Sequence, residues 1–356
     1  MNKLPLDDAA TVRKGEELNA AYLEAYLLQN LPGSAGPLVV QQFPSGFSNL
    51  TYLLQLGQQE LVLRRPPFAA QAKGGHDMAR EYRVLTTLKP IYPLVPQPLL
   101  YCEDTNVIGA PFYVMQRMQG VIIRGGGKQM DIAPEVYKKL STAFVQALAD
   151  MHAIDVTATG LVQLGKPEGY VQRQVIGWTE RYRKAQTDEQ PAVEQLMTWL
   201  AQHIPAETGV SLIHNDFKYD NLVLNPTDLS QIIAVLDWEM CTVGDPLLDL
   251  GTSLGYWMEK TDPEPLRIFG PTTHAGNFTR QEVLDTYQRI TGRAVTNPVF
   301  YYVFGLFKIC VICQQIYYRY KHGHTQDSRF AMLNVVVALI AQNGTTALEK
   351  GRVSWG

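Results

Sequence analysis

The stretch that most constrains this chain lies between residues 210 and 239. An apolar segment, residues 210–213, delivers the polar loop His214-Asn215-Asp216-Phe217-Lys218-Tyr219-Asp220-Asn221. A second apolar segment, residues 232–236, ends on Asp237-Trp238-Glu239. Short apolar runs bounded by polar turns read as buried strands. One loop thus presents Asp, Lys and Asn, and a strand end presents a further Asp. A polar turn carrying these residue types by chance is the plain alternative. The set nevertheless matches what phosphoryl transfer requires: a carboxylate to receive a hydroxyl proton, hard oxygen ligands for magnesium, and a cation beside the migrating group. On this reading Asp216 is the base, Lys218 steadies the phosphate, and Asn221 and Asp237 hold Mg2+.

The preceding chain supplies partners for that chemistry. Residues 18–31 read as a helix stopped by Pro32-Gly33, with Leu18, Tyr22, Ala25 or Tyr26, and Gln29 following its spacing. Three strands follow, at 38–43, 50–56 and 60–65. A small loop between the first two carries Ser45, Gly46 and Ser48, whose backbone amides and hydroxyls suit phosphate oxygens. An ordinary hairpin turn fits the same residues. The third strand ends on Arg64 and Arg65. A helix then starts at the N-cap Asp77 and faces inward with Met78, Tyr82, Leu85 and Leu88. Glu81 shares that face. A buried carboxylate needs a partner, and Arg64 is the candidate. The apolar segment 111–115 reads as another strand, followed by Gln116 to Gly120.

The pattern His-x-Asp-x-Lys-x-x-Asn, with the strand-end Asp237 beyond it, resembles the catalytic and metal-binding loops of the protein-kinase-like superfamily. His-Asn-Asp and Asp-Trp-Glu resemble its aminoglycoside phosphotransferase branch. Residues 62–67, 80–85 and 167–175 are similar to the phosphotransferase domain that some acyl-CoA dehydrogenase proteins carry. The resemblance implies an α+β, two-lobed fold: a small antiparallel-sheet lobe over 1–115, a hinge over 116–120, and a larger, mainly helical lobe over 121–356. It implies ATP and Mg2+ as cofactors and an Arg64–Glu81 pair where kinases use Lys–Glu. It also implies adenine contacts from the backbone around Gln116 and Met118, between walls formed by Val62 and Met115. Arg64 stands where the family has lysine, and only Gly46 remains of the glycine-rich loop. Asp245 and Asp249, in Gly-Asp-Pro-Leu-Leu-Asp, are expected to brace the catalytic loop.

The expected partner is a small molecule bearing a hydroxyl, a hydroxyacyl-CoA first. An aminoglycoside ranks lower, because residues 172–184 carry more Arg and Lys than Glu and a polycation wants an acidic pocket. A protein substrate is disfavoured, since no Ala-Pro-Glu-like segment follows Asp237. An inert nucleotide-binding scaffold is the rival from another class. A net charge of −3 without a basic run gives no footprint for nucleic acid. Cys102, Cys241, Cys310 and Cys313 are too few for a disulfide framework, and Cys310-x-x-Cys313 reads as two buried thiols. His322-Gly-His324 reads as a helix end. Residues 299–312 and 331–341 are apolar but, on sequence, too short to span a membrane. The expected location is the cytoplasm, and the sequence leaves the oligomeric state open.

Overall fold

The computed structural model describes residues 6–44, 49–68, 77–125, 130–325 and 327–355. The chain divides into two compact units, one of residues 1–122 with 222–240, the other of residues 123–221 with 241–356.

The first unit is built on a five-stranded antiparallel sheet. Its first helix, α1 (Ala20–Asn30), is capped by the Asn19 side chain, which accepts from the Tyr22 amide. The buried residues of α1 are Leu23 and Leu27, four apart on one face. Of the residues on the expected spacing, Leu18 and Tyr26 pack against the same core, whereas Tyr22 is 65% exposed and Gln29 is also exposed. Strands β1 (Leu38–Gln42), β2 (Leu50–Leu56) and β3 (Gln59–Arg65) form a meander, with Leu56 opposite both Leu38 and Gln59. Helix α2 (Met78–Leu88) starts where Asp77 accepts from the Arg80 amide. It buries Met78, Glu81, Val84, Leu85 and Leu88, so a carboxylate lies within an apolar face.

Strand β4 (Pro98–Cys102), the short helix α3 (Thr105–Ile108) and β5 (Phe112–Gln116) complete the sheet in the order β1-β2-β3-β5-β4. Tyr52, Leu54, Leu63, Phe112 and Val114 fill its core with Leu23 and Leu27. The hairpin of β7 (Leu222–Asn225) and β8 (Asp228–Val235) joins this unit through paired backbone bonds between Val121 and Leu224, of 2.9 and 2.8 Å. Gly120 makes the approach feasible, because a Cβ there would sit 2.4 Å from the Leu224 carbonyl oxygen.

The second unit is mainly helical: α4 (Pro134–His152), α5 (Tyr170–Ala185), α6 (Pro191–Gln202), α7 (Pro246–Tyr256), α8 (Arg280–Thr291), α9 (Pro298–Lys321) and α10 (Leu333–Lys350). A two-stranded ribbon, β6 (Ser211–Ile213) with β9 (Thr242–Gly244), runs among them. Helices α7 and α9 meet backbone to backbone. A Cβ on Gly305 would fall 2.1 Å from the Gly251 carbonyl oxygen, and one on Gly251 would fall 2.2 Å from that of Tyr301. No residue larger than glycine fits at either position without separating the helices.

One expectation needs correction. Helix α9 has 24 residues and, by length and composition, is apolar enough to cross a membrane, as is the segment from 328 to 350. Most of the apolar window of α9, 78%, is buried inside this unit, which accounts for its hydrophobicity without lipid. Lys308 interrupts the apolar run of residues 299–312, and the helix carries that lysine buried. Cys310 and Cys313 are buried free thiols, as expected, and burial pushes both upward, Cys313 to about 12.

Candidate active site

The catalytic-loop residues lie in the second unit. Strand β6 is fully buried, so its exit point is fixed before the polar loop begins. The chain then turns at Asn215, whose φ of 67° is left-handed. Asparagine tolerates that region better than most residues. The turn is held by Asp249 of α7, whose carboxylate accepts from the amides of His214 and Asn215 at 2.8 and 2.7 Å. His152, at the end of α4, contacts the same carboxylate through Nε2 at 3.2 Å and the Tyr287 hydroxyl through Nδ1 at 2.7 Å.

Burial alone would raise the Asp249 carboxyl. The hydrogen bond from His152, with its neighbours, outweighs burial and leaves Asp249 below the usual carboxylate range. Asp245 caps α7 by accepting from the Leu247 amide at 2.8 Å, and also from the Thr208 amide at 2.6 Å. Asp249 therefore holds the loop, whereas Asp245 caps α7 and ties it to Thr208, ahead of β6.

The lowered Asp249 carboxyl gives a pH prediction. A group whose folded value lies below its unfolded value stabilises the fold above the unfolded value, about 3.9 for Asp, and loses that contribution as pH falls through the folded value. Asp249→Ala is expected to cost about 3 kcal/mol at neutral pH, because several buried donors lose their acceptor. The difference from wild type should shrink below about pH 4. Denaturant titrations of both proteins at neutral and acid pH measure it.

Beyond the turn, Lys218 Nζ contacts both carboxylate oxygens of Asp216, at 3.0 and 2.9 Å. Asn221 Nδ2 donates to the Asp216 main-chain oxygen at 2.8 Å and to Oδ2 at 2.9 Å. The base, the cation and the amide expected from sequence are thus one hydrogen-bonded group. Because the Asn221 amide nitrogen makes both donations, its Oδ1 is the atom left for a metal. Burial works against the Lys218 ammonium, but Asp216 overcomes it and raises the amine above its ordinary value.

Tyr256, at the end of α7, was not anticipated. Its ring lies 4.5 Å from Lys218 Nζ, and burial followed by the Asp216 charge holds its hydroxyl well above the usual tyrosine value. Lys218 and Tyr256 line a cavity with Phe144, Trp257, Phe269 and Ser253. The helical periodicity of α7 says only that Tyr256 is buried, not that it faces the loop.

The first unit carries the other group. Arg64 Nη1 meets Glu81 at 3.0 Å, the pair expected from sequence. Arg64 Nη2 also meets Asp237 at 2.9 Å and Glu239 at 3.6 Å, which was not expected. Burial opposes the guanidinium charge, while Glu81, Asp237 and Glu239 together raise it well above its ordinary value. The forked guanidinium can address two carboxylates at once where an ammonium is a point charge. Glu239 accepts from the Asn49 side-chain Nδ2 at 2.6 Å. Asp237 has a φ of 66°, a second non-glycine residue in the left-handed region at this motif.

Val62 and Met115 lie opposite each other in register. Gln116 ends β5, and its main-chain amide is engaged by the Gln97 carbonyl at 2.9 Å. Met118 packs against Ile122, Val223 and Ala234. Ser45, Gly46 and Ser48 fall outside the described residues.

Comparison with known proteins follows the same line. Residues 39–283 match the model of the "Phosphotransferase enzyme family". Acyl-CoA dehydrogenase family member 11 of Gallus gallus is 35% identical over 343 residues, which cover 94% of this chain and 44% of that protein. The chain therefore spans less than half the length of that relative. A crystal structure from Ralstonia eutropha, of a protein assigned as an aminoglycoside phosphotransferase, superposes with a TM-score of 0.80 at 33% identity. The match covers 94% of this chain and 99% of that one. The spectinomycin phosphotransferase solved with ADP and spectinomycin has a TM-score of 0.61 at 12% identity, over 92% and 99% of the two chains, and shares the fold. The α+β, protein-kinase-like fold expected from the motifs is the fold of these neighbours.

Proposed function

The chain belongs to the phosphotransferase enzyme family, and from that premise we propose that it moves the γ-phosphoryl group of magnesium-bound ATP to a hydroxyl of a small metabolite. The observation that carries this is the Asp216 carboxylate, oriented by Lys218 and Asn221 at 2.9–3.0 Å. Asp216 receives the proton of the attacking hydroxyl, and Lys218 offsets charge on the migrating group. Asn221 Oδ1 and the Asp237 carboxylate would hold magnesium, which prefers few protein oxygens and keeps phosphates and water for the rest. Bound magnesium neutralises phosphate charge. Arg64, paired with Glu81, would meet the nucleotide phosphates. The ADP of the spectinomycin phosphotransferase complex supports a nucleoside phosphate as donor.

The acceptor we favour is a hydroxyacyl-CoA. The acyl-CoA connection in the relative's name supports it. So does the cavity beside Lys218, whose lining is aromatic and, among the described residues, free of carboxylates. A polycationic aminoglycoside would need acidic groups there.

The test is ADP release from magnesium-ATP across hydroxyacyl-CoAs, free hydroxy acids, amino alcohols and aminoglycosides. Turnover with a hydroxyacyl-CoA, requiring magnesium, is expected. Turnover with aminoglycosides alone would replace that acceptor. Nucleotide binding with no turnover across the panel would favour an inert scaffold.

A further inference from the structure

Lys308 lies in the middle of α9 with 1% of its surface exposed. An ammonium so buried is expected to be paired with a carboxylate. Among the described residues it has no ion-pair partner. Its Nζ instead donates to the main-chain oxygen of Asn215 at 2.6 Å and to the Asn215 side-chain oxygen at 3.3 Å. The Trp178 ring of α5 lies 5.6 Å from Nζ and gives only a weak substitute for a counterion. Burial pushes the ammonium down to about 8, against the more distant Asp216 and Asp249 carboxylates, while Lys218 and Arg181 add to the lowering.

A cation kept under those conditions serves its one close hydrogen-bond partner among the described residues. That partner is the peptide joining Asn215 to Asp216. Asn215 occupies the left-handed region, where a non-glycine residue persists only if its surroundings over-determine it. Its amide is bound by Asp249 at 2.7 Å, and its side-chain nitrogen donates to the Tyr170 hydroxyl at 3.2 Å. Lys308 restrains the carbonyl oxygen. The plane of this peptide sets the direction in which the Asp216 side chain leaves the backbone.

We propose that Lys308 is a positioning residue for the transfer reaction: from the core of α9 it fixes the peptide entering Asp216 and so aims the base. The inference rests on the reading of Asp216 as the base. It separates the two jobs of the loop, with Asp249 folding it and Lys308 aiming it.

The test compares wild type with Lys308→Met, which keeps the length and removes the donor, and with Lys308→Gln, which keeps a polar terminus without the charge. Hydrogen–deuterium exchange of the 212–221 segment is read by mass spectrometry on the full chain, with no acceptor required. Exchange in this segment should rise at least about tenfold in the Met variant, the ratio corresponding to loss of one strong hydrogen bond to a charged donor. Exchange elsewhere should be unchanged, and Tm should stay within about 5 °C, since removing a buried unpaired charge offsets the lost bond. With an acceptor in hand, kcat should fall about tenfold or more while KM for ATP holds.

Unchanged exchange in 212–221, or loosening spread across α7 and α9, would overturn the proposal. So would failure of both variants to fold, which would make Lys308 a stability element only. Local loosening in a chain with no turnover on any acceptor would uphold the positioning of the loop and count against the phosphotransferase reading instead.

Discussion

Replacing Asp216 by Asn is expected to lower kcat by about a thousandfold while leaving ATP affinity within about twofold. The substitution preserves volume and removes the ability to take a proton. The local geometry makes it more severe than a neutral swap. Lys218 Nζ reaches both carboxylate oxygens, and Asn221 Nδ2 reaches one of them. An amide in that position has one acceptor and one donor group, so a donor faces a donor whichever way it is turned. The base is lost and Lys218 is displaced from its place beside the transferred group. On the proposed reading ATP binding draws on phosphate and adenine contacts outside this side chain, and it should survive. Calorimetric ATP binding with and without magnesium, together with single-turnover ADP release, separates these effects. A variant that turns over at the wild-type rate would remove Asp216 from its role. One that no longer binds ATP would mean that the residue holds the nucleotide.

The grouping of the polar residues in the loop was more legible than the connectivity of the chain. Residue type and spacing within one loop suffice to group Asp216, Lys218 and Asn221, because a single turn brings them together whatever surrounds it. The Arg64–Glu81 pair was legible for a related reason: helical periodicity puts Glu81 on the buried face of α2, and a buried carboxylate demands a cation. What the sequence hid is non-local. The apolar strands on either side of the loop do not pair with each other. β6 pairs with β9 and β8 with β7, and the β7–β8 hairpin returns to the first unit through Val121 and Leu224. No local pattern records such a choice of partner. The added ion pairs from Arg64 to Asp237 and Glu239 depend on that return, as does the junction near residue 122 rather than a contiguous split of the chain.

Two local misreadings have local causes. In α1 the spacing that runs through Leu18 and Tyr26 also runs through Tyr22, but the buried interface is carried by Leu23 and Leu27 and leaves Tyr22 to solvent. In α9 a lysine interrupts the apolar run, which was read as too short. A lysine can lie in such a run when its ammonium has a hydrogen-bond acceptor, and Asn215 lies far away in sequence.

Arg64→Met should produce the largest loss of stability among the substitutions considered. Glu81 is 2% exposed, and without the guanidinium it becomes an uncompensated buried charge or a protonated acid that has lost its partner. Breaking a buried pair in this way costs about 3–5 kcal/mol. Arg64→Lys should recover part of this, since an ammonium can pair with Glu81, but a point charge cannot replace the fork that reaches Glu81 and Asp237 together at 3.0 and 2.9 Å. The informative protein is the double variant Arg64→Met, Glu81→Leu. Removing both charges should restore much of the stability, because a hydrophobic replacement of a buried pair is often neutral. It should not restore magnesium-dependent nucleotide binding, because the phosphates still lack their cation. Denaturant unfolding gives the first quantity and calorimetric ATP titration the second. If the double variant recovers both, Arg64 serves the fold alone. If it recovers stability without affinity, the guanidinium serves the nucleotide, and the network of carboxylates around it keeps that charge available in a buried position.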